Sequence, residues 1–132
     1  MRYLLDTNIC VYLMNRTRPN LTRRVLEHHP DDLAISVITA AELSYGVAKS
    51  KRKAEASAAL TRLLASLRVQ PFDEAAMVTY GRIRADLEAK GTPIGPLDTL
   101  IAAHALALGV AVVTNNTGEF RRVRDLTVED WT

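Results

Sequence analysis

Four acidic residues stand where a regular element of the chain starts or ends, namely Asp6, Glu42, Asp98 and Glu119. Carboxylate oxygens are the ligands that Mg²⁺ and Mn²⁺ prefer, whereas zinc sites usually include histidine or cysteine. A metal held by such carboxylates activates water and stabilises the charge on a leaving oxygen. If the fold brings the four side chains together, we therefore expect metal-dependent hydrolysis of phosphodiester bonds.

Short apolar strands that alternate with helices predict an α/β fold for this chain. We predict strands over residues 3–5, 33–36, 69–72 and 110–114, and helices over residues 9–14, 19–28, 39–47, 53–67, 73–90 and 97–108. Such an alternation is typical of a parallel sheet that is covered by helices on both faces. In sheets of this kind, ligands bind beyond the carboxyl ends of the strands.

The acidic residues fall at that edge of the predicted sheet. Asp6 directly follows the first strand, and Glu42 lies in the first helical turn after the second strand. Asp98 lies in the first turn of a helix that follows a loop with two prolines and two glycines. The last predicted strand is followed by three polar residues, Asn115, Asn116 and Glu119.

Each acid also has a purely structural interpretation. Asp6 suits a helix N-cap, Glu42 fits a capping box with Thr39, and Asp98 or Glu119 in a first turn is favoured by the helix dipole. Four carboxylates at one edge would nevertheless repel one another. Two of them about 4 Å apart repel by roughly 4 kcal/mol at an effective dielectric constant of about 20. A protein that keeps such a cluster usually neutralises it with a cation.

The composition is that of an ordinary globular protein, and we expect a single domain over residues 1–132. Hydrophobic residues make up 48% of the chain and charged residues 24%. The single cysteine, Cys10, excludes an internal disulfide and fits a cytoplasmic protein. Asp6 interrupts the first apolar stretch, so we predict no secretory signal, and no stretch is long enough to cross a membrane.

The overall charge is only mildly basic. A net charge of +2 and a pI near 8.9 do not by themselves indicate a nucleic-acid partner. The basic residues gather in three groups: Arg16, Arg18, Arg23 and Arg24; Lys49, Lys51, Arg52 and Lys53; Arg121, Arg122 and Arg124. Any one such group is most simply a solvated helix face, but the groups would also suit contacts to a phosphate backbone outside the acidic site.

Other catalytic chemistries find little support. His28 and His29 are adjacent and cannot share a helix face, and His104 lies about 120° around its helix from Asp98. We therefore expect the histidines to be surface or packing residues rather than zinc ligands. The chain has no G-x-S-x-G motif, and Cys10 has no obvious base near it.

The ordered set of motifs resembles the PIN-domain ribonucleases, and specifically the VapC toxins of bacterial toxin–antitoxin pairs. The resemblance runs along almost the whole chain. The matching segments are LLDTN at residues 4–8, SVITAAELSYGVAKS at 36–50, IRADLEAKGTPIGPLDTLIAAHA at 83–105, VVTNNTGEF at 112–120 and VEDW at 128–131.

The resemblance implies a three-layer α/β/α sandwich with a mainly parallel central sheet, a Mg²⁺ or Mn²⁺ cofactor, and endonucleolytic cleavage of RNA. It assigns metal binding to Asp6 and Asp98 and places Glu42 in the same acidic site. Four polar residues match positions that line the site, namely Thr7, Asn8, Thr114 and Asn115, and we expect these four and Asn116 to contact substrate. Many PIN domains carry a fourth aspartate where this chain has Asn116, and we expect Glu119 to take that catalytic place.

The resemblance also implies partners. They are a VapB-like antitoxin, a second copy of the chain, and an RNA substrate, with tRNA favoured because relatives with a segment like GTPIGPLD cut structured RNA and inhibit translation. No membrane is implied. The apolar stripe of the fourth predicted helix, which consists of Leu60, Leu63, Leu64 and Leu67, is most simply core, but it could also receive an antitoxin segment.

Two other functions remain open from the sequence. A magnesium phosphohydrolase such as a haloacid-dehalogenase-like phosphatase would use the same ions, but that chemistry requires D-x-D, and here Thr7 and Asn8 follow Asp6. An inactive nucleic-acid-binding or protein-binding relative of the fold is the second alternative. The presence of Asp6, Glu42 and Asp98 argues against it.

Overall fold

Five strands alternate with seven α-helices in the computed structural model, which describes residues 1–132. The strands are β1 Tyr3–Leu5, β2 Leu33–Ser36, β3 Arg68–Gln70, β4 Ala111–Val113 and β5 Val128–Glu129. The helices are α1 Thr7–Asn15, α2 Pro19–Leu26, α3 Val37–Lys49, α4 Lys53–Ser66, α5 Glu74–Ala89, α6 Pro96–Leu108 and α7 Thr117–Phe120, with a short 3₁₀ turn at Pro30–Asp32.

The strands form one parallel sheet in the order β3-β2-β1-β4-β5. Tyr3 in the central strand lies opposite Leu33 of β2 and Ala111 of β4. Because β1 is flanked on both sides, the residue that follows it emerges in the middle of the carboxyl edge. That residue is Asp6.

Successive strand residues point to opposite faces of the sheet, and each face has its own core. Leu4 and Val112 pack with residues of α5, α6 and α7, which include Ile83, Leu87, Ile101 and Phe120. Leu5 and Val113 pack on the other face with residues of α1, α2 and α3, which include Ile9, Leu21 and Leu43. The predicted three-layer α/β/α sandwich with a parallel sheet is therefore confirmed.

The leucine stripe of α4 belongs to the second of these cores. Its four members, Leu60, Leu63, Leu64 and Leu67, are partly buried and pack against that cluster. The stripe therefore lies at the edge of this core, and none of its leucines is fully buried. Two of its members, Leu63 and Leu67, also line a groove that is open to solvent.

The predicted start of α3 was wrong. Thr39 does not cap the helix, because Ser36 is the N-cap and its hydroxyl accepts a hydrogen bond from the Ile38 amide at 3.0 Å. The helix begins directly after β2, so Thr39 lies within its first turn. Its side chain is buried. The helix also continues to Lys49, two residues beyond its predicted end.

Other differences concern the ends of elements. The third strand occupies Arg68–Gln70 rather than residues 69–72, and α2 ends at Leu26 rather than at residue 28. The sequence did not predict β5, which has two residues and exists through its pairing with β4. No helix of the structure has both the length and the apolar character needed to span a membrane.

Candidate active site at the carboxyl edge of the sheet

Asp6 lies at the centre of the carboxyl edge and is buried. Its backbone amide donates to the Val113 carbonyl at 3.0 Å, which ties it to β4. Its Oδ1 atom accepts a hydrogen bond from the Ile9 amide at 2.9 Å, so Asp6 does cap α1. Its Oδ2 atom accepts a hydrogen bond from the Thr114 hydroxyl. Three hydrogen bonds therefore hold this carboxylate in one orientation at the centre of the site, counting the one from the Asn8 amide.

The environment of Asp6 disfavours its charged form. Burial raises its pKa above the ordinary value, and the negative charge of Glu42 raises it further. The hydrogen bonds from Thr114 and from the amides of Ile9 and Asn8 oppose this shift, because they stabilise the carboxylate. Asp6 is therefore more than a helix cap, since it also faces a second acid.

On the β4 side of Asp6, one amide side chain joins two acids. The Asn116 side-chain nitrogen donates to Asp98 Oδ2 at 3.3 Å and to Glu119 Oε2 at 2.8 Å. The Asn116 backbone amide donates to the Thr114 hydroxyl oxygen at 2.9 Å, which fixes Asn116 beside β4. The half-buried Asp98 and Glu119 carboxylates are thus held together, although 21 residues separate them in the chain.

The crowding of these acids is visible in the pKa of Asp98, which rises to about 6. Burial is the largest cause, followed by a hydrogen bond with Glu119 and by the negative charges of Asp6 and Glu119. The Asn116 amide opposes the shift. A cation at this place would relieve the same repulsion that the proton relieves.

On the β2 side of Asp6, a single acid lies among hydroxyl groups. The Thr7 hydroxyl donates to Glu42 Oε1 at 2.7 Å and lies 3.1 Å from the Thr39 hydroxyl. Glu42 lies in the second turn of α3, one turn beyond Thr39, so both side chains reach the same face of the helix. This side of the site therefore holds one acid with hydrogen-bond donors around it.

Two of the residues that were predicted to contact substrate have side chains that do not reach the acids. The Asn115 side chain donates to the Tyr12 hydroxyl at 2.9 Å and is thereby turned toward α1. The Arg18 guanidinium lies 4.4 Å from the centroid of that Tyr12 ring. The Asn8 side chain is exposed and makes no hydrogen bond to the acids. Both asparagines lie at the rim of the site.

The structure thus brings Asp6, Asp98 and Glu119 together on one side and Asp6 and Glu42 on the other. No three acidic, histidine or cysteine side chains lie close enough to hold one ion jointly.

The histidines are outside the site, as expected. The ring of His104 is buried, with Nδ1 2.8 Å from the Ser36 hydroxyl. The ring of His28 stacks on Trp131.

Sequence reasoning missed two residues of the site. Thr39 was interpreted as a cap, although its spacing of three from Glu42 already placed both on one helix face. Tyr12, which positions Asn115, had no comparable signal. Its partner lies 103 residues away in the chain, so only the packing of α1 against the end of β4 reveals the contact.

Known proteins match this chain over nearly its whole length. The family model of the PIN domain matches residues 3–126. A relative from Rickettsia felis, Ribonuclease VapC2, is 44% identical over 133 residues, covering 99% of this chain and 98% of its own. A relative from Shigella flexneri, the tRNA(fMet)-specific endonuclease VapC, is 38% identical over 131 residues, covering the same shares of the two chains.

Solved structures match the fold closely. A chain of the VapBC2 complex of Rickettsia felis, bound to a DNA fragment from their promoter, superposes with a TM-score of 0.93 at 42% identity and with 100% coverage of both chains. A chain of the DNA-bound VapBC complex of Salmonella typhimurium gives a TM-score of 0.95 at 37% identity, covering 100% of this chain and 99% of that chain.

Proposed function

The chain belongs to the PIN-domain family and, within it, to the VapC ribonucleases, and we propose that it is a magnesium-dependent endoribonuclease that acts as a toxin in the cytoplasm. In this proposal residues 1–132 form a single PIN-like ribonuclease domain. The observation that carries it is the buried Asp6 carboxylate with Asp98 on one side and Glu42 on the other. This is the arrangement that metal-dependent phosphodiester hydrolysis requires.

A divalent metal fits these residues. The donors are carboxylate, hydroxyl and amide oxygens, which suit Mg²⁺ and, as a substitute, Mn²⁺. The raised pKa of Asp98 marks a place where a cation is favoured. Mg²⁺ usually keeps several waters and binds through one or two carboxylates, so it does not need a cluster of three acids. We propose that Asp6 and Asp98 would hold the metal, with Glu42 in the same acidic site.

When bound, the metal supplies an activated water and stabilises charge on the leaving oxygen. The protein supplies orientation. Thr114 and the Ile9 amide hold the Asp6 carboxylate, and Asn116 holds Asp98 beside Glu119. We therefore assign catalytic roles to Asp6, Glu42, Asp98 and Glu119.

The polar residues around the acids divide into two groups. Thr114 and Asn116 already use their hydrogen-bonding groups within the site, so they position the acids and meet substrate only at its edge. The Asn8 side chain is exposed and bonded to none of the acids, so we expect it to donate to phosphate oxygens, whereas Thr7 and Asn115, already bonded to Glu42 and Tyr12, meet substrate at the rim of the site.

For the substrate we favour tRNA or another structured RNA, whose cleavage would inhibit translation. The relative from Shigella flexneri carries tRNA(fMet) specificity in its name and shares 38% of its residues with this chain. The experiment is a cleavage assay on tRNA, single-stranded DNA and a small phosphate monoester, each with and without Mg²⁺. Cleavage of RNA alone supports the proposal. Hydrolysis of the monoester would favour a phosphatase, and no hydrolysis at all would favour an inactive relative.

We further propose that the protein is inhibited by a VapB-like antitoxin. Both structural neighbours described above are VapBC complexes. The surface that fits an apolar antitoxin segment is a groove of about 240 Å³ between α1, α2 and α4, lined by Leu13, Met14, Val25, Leu26, Leu63 and Leu67 among others. Leu26 is 78% exposed, although it is a large apolar side chain, so a partner that covers it would bury new apolar surface.

Leu26→Asp tests this groove, with Val78→Asp on α5 as the matched control because Val78 is also well exposed. We expect Leu26→Asp to weaken antitoxin binding, measured by calorimetry, while Val78→Asp leaves it unchanged. Equal affinities for the two variants would contradict the assignment. The proposal also includes a homodimer, and light scattering that shows a monomer at high micromolar concentration would contradict that part.

A further inference from the structure

A second cavity opens directly beside Glu42, and nothing described so far uses it. This Tyr45 groove has a volume of about 500 Å³ and lies between α1, α3 and the start of α4. Thr7 and Glu42 form the end nearest to the acids, and Tyr45, Lys49 and Ser50 form the far end. Its volume lies within the range of cavities that bind small molecules.

The groove follows one face of α3 away from the site. Glu42, Tyr45, Gly46 and Lys49 are spaced by three, four and seven residues, which places them on the same side of the helix. A rise of 1.5 Å per residue puts Lys49 about 10 Å along the helix from Glu42. A ligand bound at the acidic end can therefore extend along the groove to the lysine.

Tyr45 is the most unusual residue of this groove. Its side chain is 66% exposed and belongs to neither core. Its hydroxyl makes no hydrogen bond, and the Lys49 ammonium lies 5.0 Å from the ring centroid. A Cβ atom on the adjacent Gly46, which also lines the groove, would meet nothing within 4 Å, so the groove is open at that residue.

We propose that the Tyr45 groove binds an unpaired nucleotide of the RNA next to the cleaved phosphate, with its base stacked on Tyr45 and its phosphate near Lys49. An exposed aromatic ring beside a basic side chain is the combination that binds single-stranded nucleic acid without reading its sequence. Lys49 is the one basic residue that lines the groove, so the charge at its far end suits a phosphate. This inference rests on the proposed ribonuclease function.

The groove also explains how a structured RNA presents its backbone to a recessed carboxylate. Asp6 is buried, so the phosphate must come down to the sheet edge. A nucleotide whose base is unstacked from the RNA and stacked on Tyr45 would bring its neighbouring phosphate to that edge. The groove is therefore a positioning site for substrate, and we expect it to act on binding more than on the chemical step.

Binding is measured with a short fluorescein-labelled single-stranded RNA in Mg²⁺, on the Asp98→Asn background so that no cleavage occurs. We expect Tyr45→Ala to weaken binding about tenfold and Tyr45→Phe, which keeps the ring, to bind as the background protein does. Lys49→Ala should weaken binding about threefold and reduce its salt dependence. Lys90→Ala, a matched loss of charge at the end of α5 and outside the groove, should have no effect.

A set of RNAs that each lack one base identifies the stacked nucleotide. Loss of that base should weaken binding to the background protein about tenfold, and the penalty should disappear in Tyr45→Ala. Unchanged RNA binding by Tyr45→Ala, or a base penalty that persists in it, overturns the inference. Loss of antitoxin affinity with intact RNA binding also overturns it and assigns the groove to a protein partner.

The outcome separates the groove from the function of the site. If the unmodified chain cleaves no RNA in Mg²⁺, the proposed function fails whatever the groove binds. If it cleaves RNA and Tyr45→Ala raises KM while kcat stays unchanged, both proposals stand. If it cleaves RNA and Tyr45→Ala changes neither constant, only the groove proposal fails.

Discussion

The two sides of Asp6 are built from different chemistry. On the β4 side, Asp98 and Glu119 crowd together around the Asn116 amide, and the pKa of Asp98 rises to about 6. On the β2 side, a single acid, Glu42, is met by the Thr7 hydroxyl at 2.7 Å. On the β4 side two acids thus share one amide donor, whereas on the β2 side the single acid has a hydroxyl donor of its own.

The difference indicates separate roles for the two sides. Concentrated charge in a half-buried place favours a cation, so the β4 side should determine metal affinity. A carboxylate that already accepts a hydrogen bond and lies beside an open groove is better suited to hold water and substrate. Substitutions on the β4 side should therefore change how cleavage depends on the Mg²⁺ concentration. Substitutions on the β2 side should change how it depends on the RNA concentration.

The largest effect should follow from Asp98→Asn. Loss of this carboxylate removes a proposed metal ligand, so we expect RNA cleavage at saturating Mg²⁺ to fall by at least about a hundredfold. The fold should survive, because burial and the neighbouring acids destabilise the charged Asp98 carboxylate by more than its hydrogen bond from Asn116 stabilises it. Circular dichroism verifies the fold, and a cleavage rate within threefold of the unmodified protein would contradict the assignment.

Glu119→Gln should have the next largest effect. Its carboxylate lies with Asp98 around Asn116, so we expect a weaker metal affinity and cleavage slowed by about tenfold, with partial recovery at high Mg²⁺. Glu42→Gln serves as the comparison from the β2 side. There we expect high Mg²⁺ to restore less of the cleavage rate. If Glu119→Gln cleaves at the unmodified rate across a Mg²⁺ titration, Glu119 is only a solvated helix residue.

The crowding on the β4 side should also appear in stability without metal. The pKa of Asp98 is raised in the folded state, so the folded protein binds the proton more tightly than the unfolded chain does. Stability should therefore fall as the pH rises through about 4 to 6 and then level off. Asp98→Asn should remove that loss and be more stable by about 1 kcal/mol at pH 7, after allowance for solvent screening.

At pH 3.5, which lies below the pKa of Asp98 in both states, most of the difference should be gone, so the unmodified protein and Asp98→Asn should unfold at similar denaturant concentrations. Urea titrations in EDTA at the two pH values measure the difference. A variant that is less stable at pH 7 would show that the Asp98 carboxylate makes a stabilising contact, and would contradict the account of crowding.

The smallest effect should come from the β2 side. Thr7→Val removes the hydroxyl that donates to Glu42 but keeps the shape of the side chain, so we expect KM for RNA to rise about threefold with little change in Mg²⁺ affinity. Thr7→Ser retains the donor and is the matched control. An equal loss in both variants would mean that the methyl group, rather than the hydrogen bond, matters.

The sequence predicted those parts of the fold that depend on local pattern. The strands β1, β2 and β4 are short apolar stretches, because both of their faces are buried. Neither β5 nor α7 has such a pattern. The two residues of β5 are held by pairing with β4, and the four-residue α7 follows the chain reversal after that strand.

The same distinction holds for the site. The positions of Asp6 and Asp98 could be predicted, because a carboxyl edge and a loop fix where their backbones lie. The orientation of Asn115 could not, because it depends on the Tyr12 hydroxyl of a distant helix. Thr39 was misassigned because Ser36, at the end of β2, caps α3 three residues earlier. Side-chain direction depends on tertiary packing, whereas strand ends depend on local sequence.

The most direct test of the account is a Mg²⁺ titration of tRNA cleavage by the unmodified protein, with Asp98→Asn purified in parallel to exclude a contaminating nuclease. We predict no cleavage in excess EDTA, cleavage that rises and saturates as Mg²⁺ is added, and no comparable rise in Asp98→Asn. Cleavage that persists at its full rate in excess EDTA, or that is equal in the two proteins, would contradict a metal site built around Asp6 and Asp98.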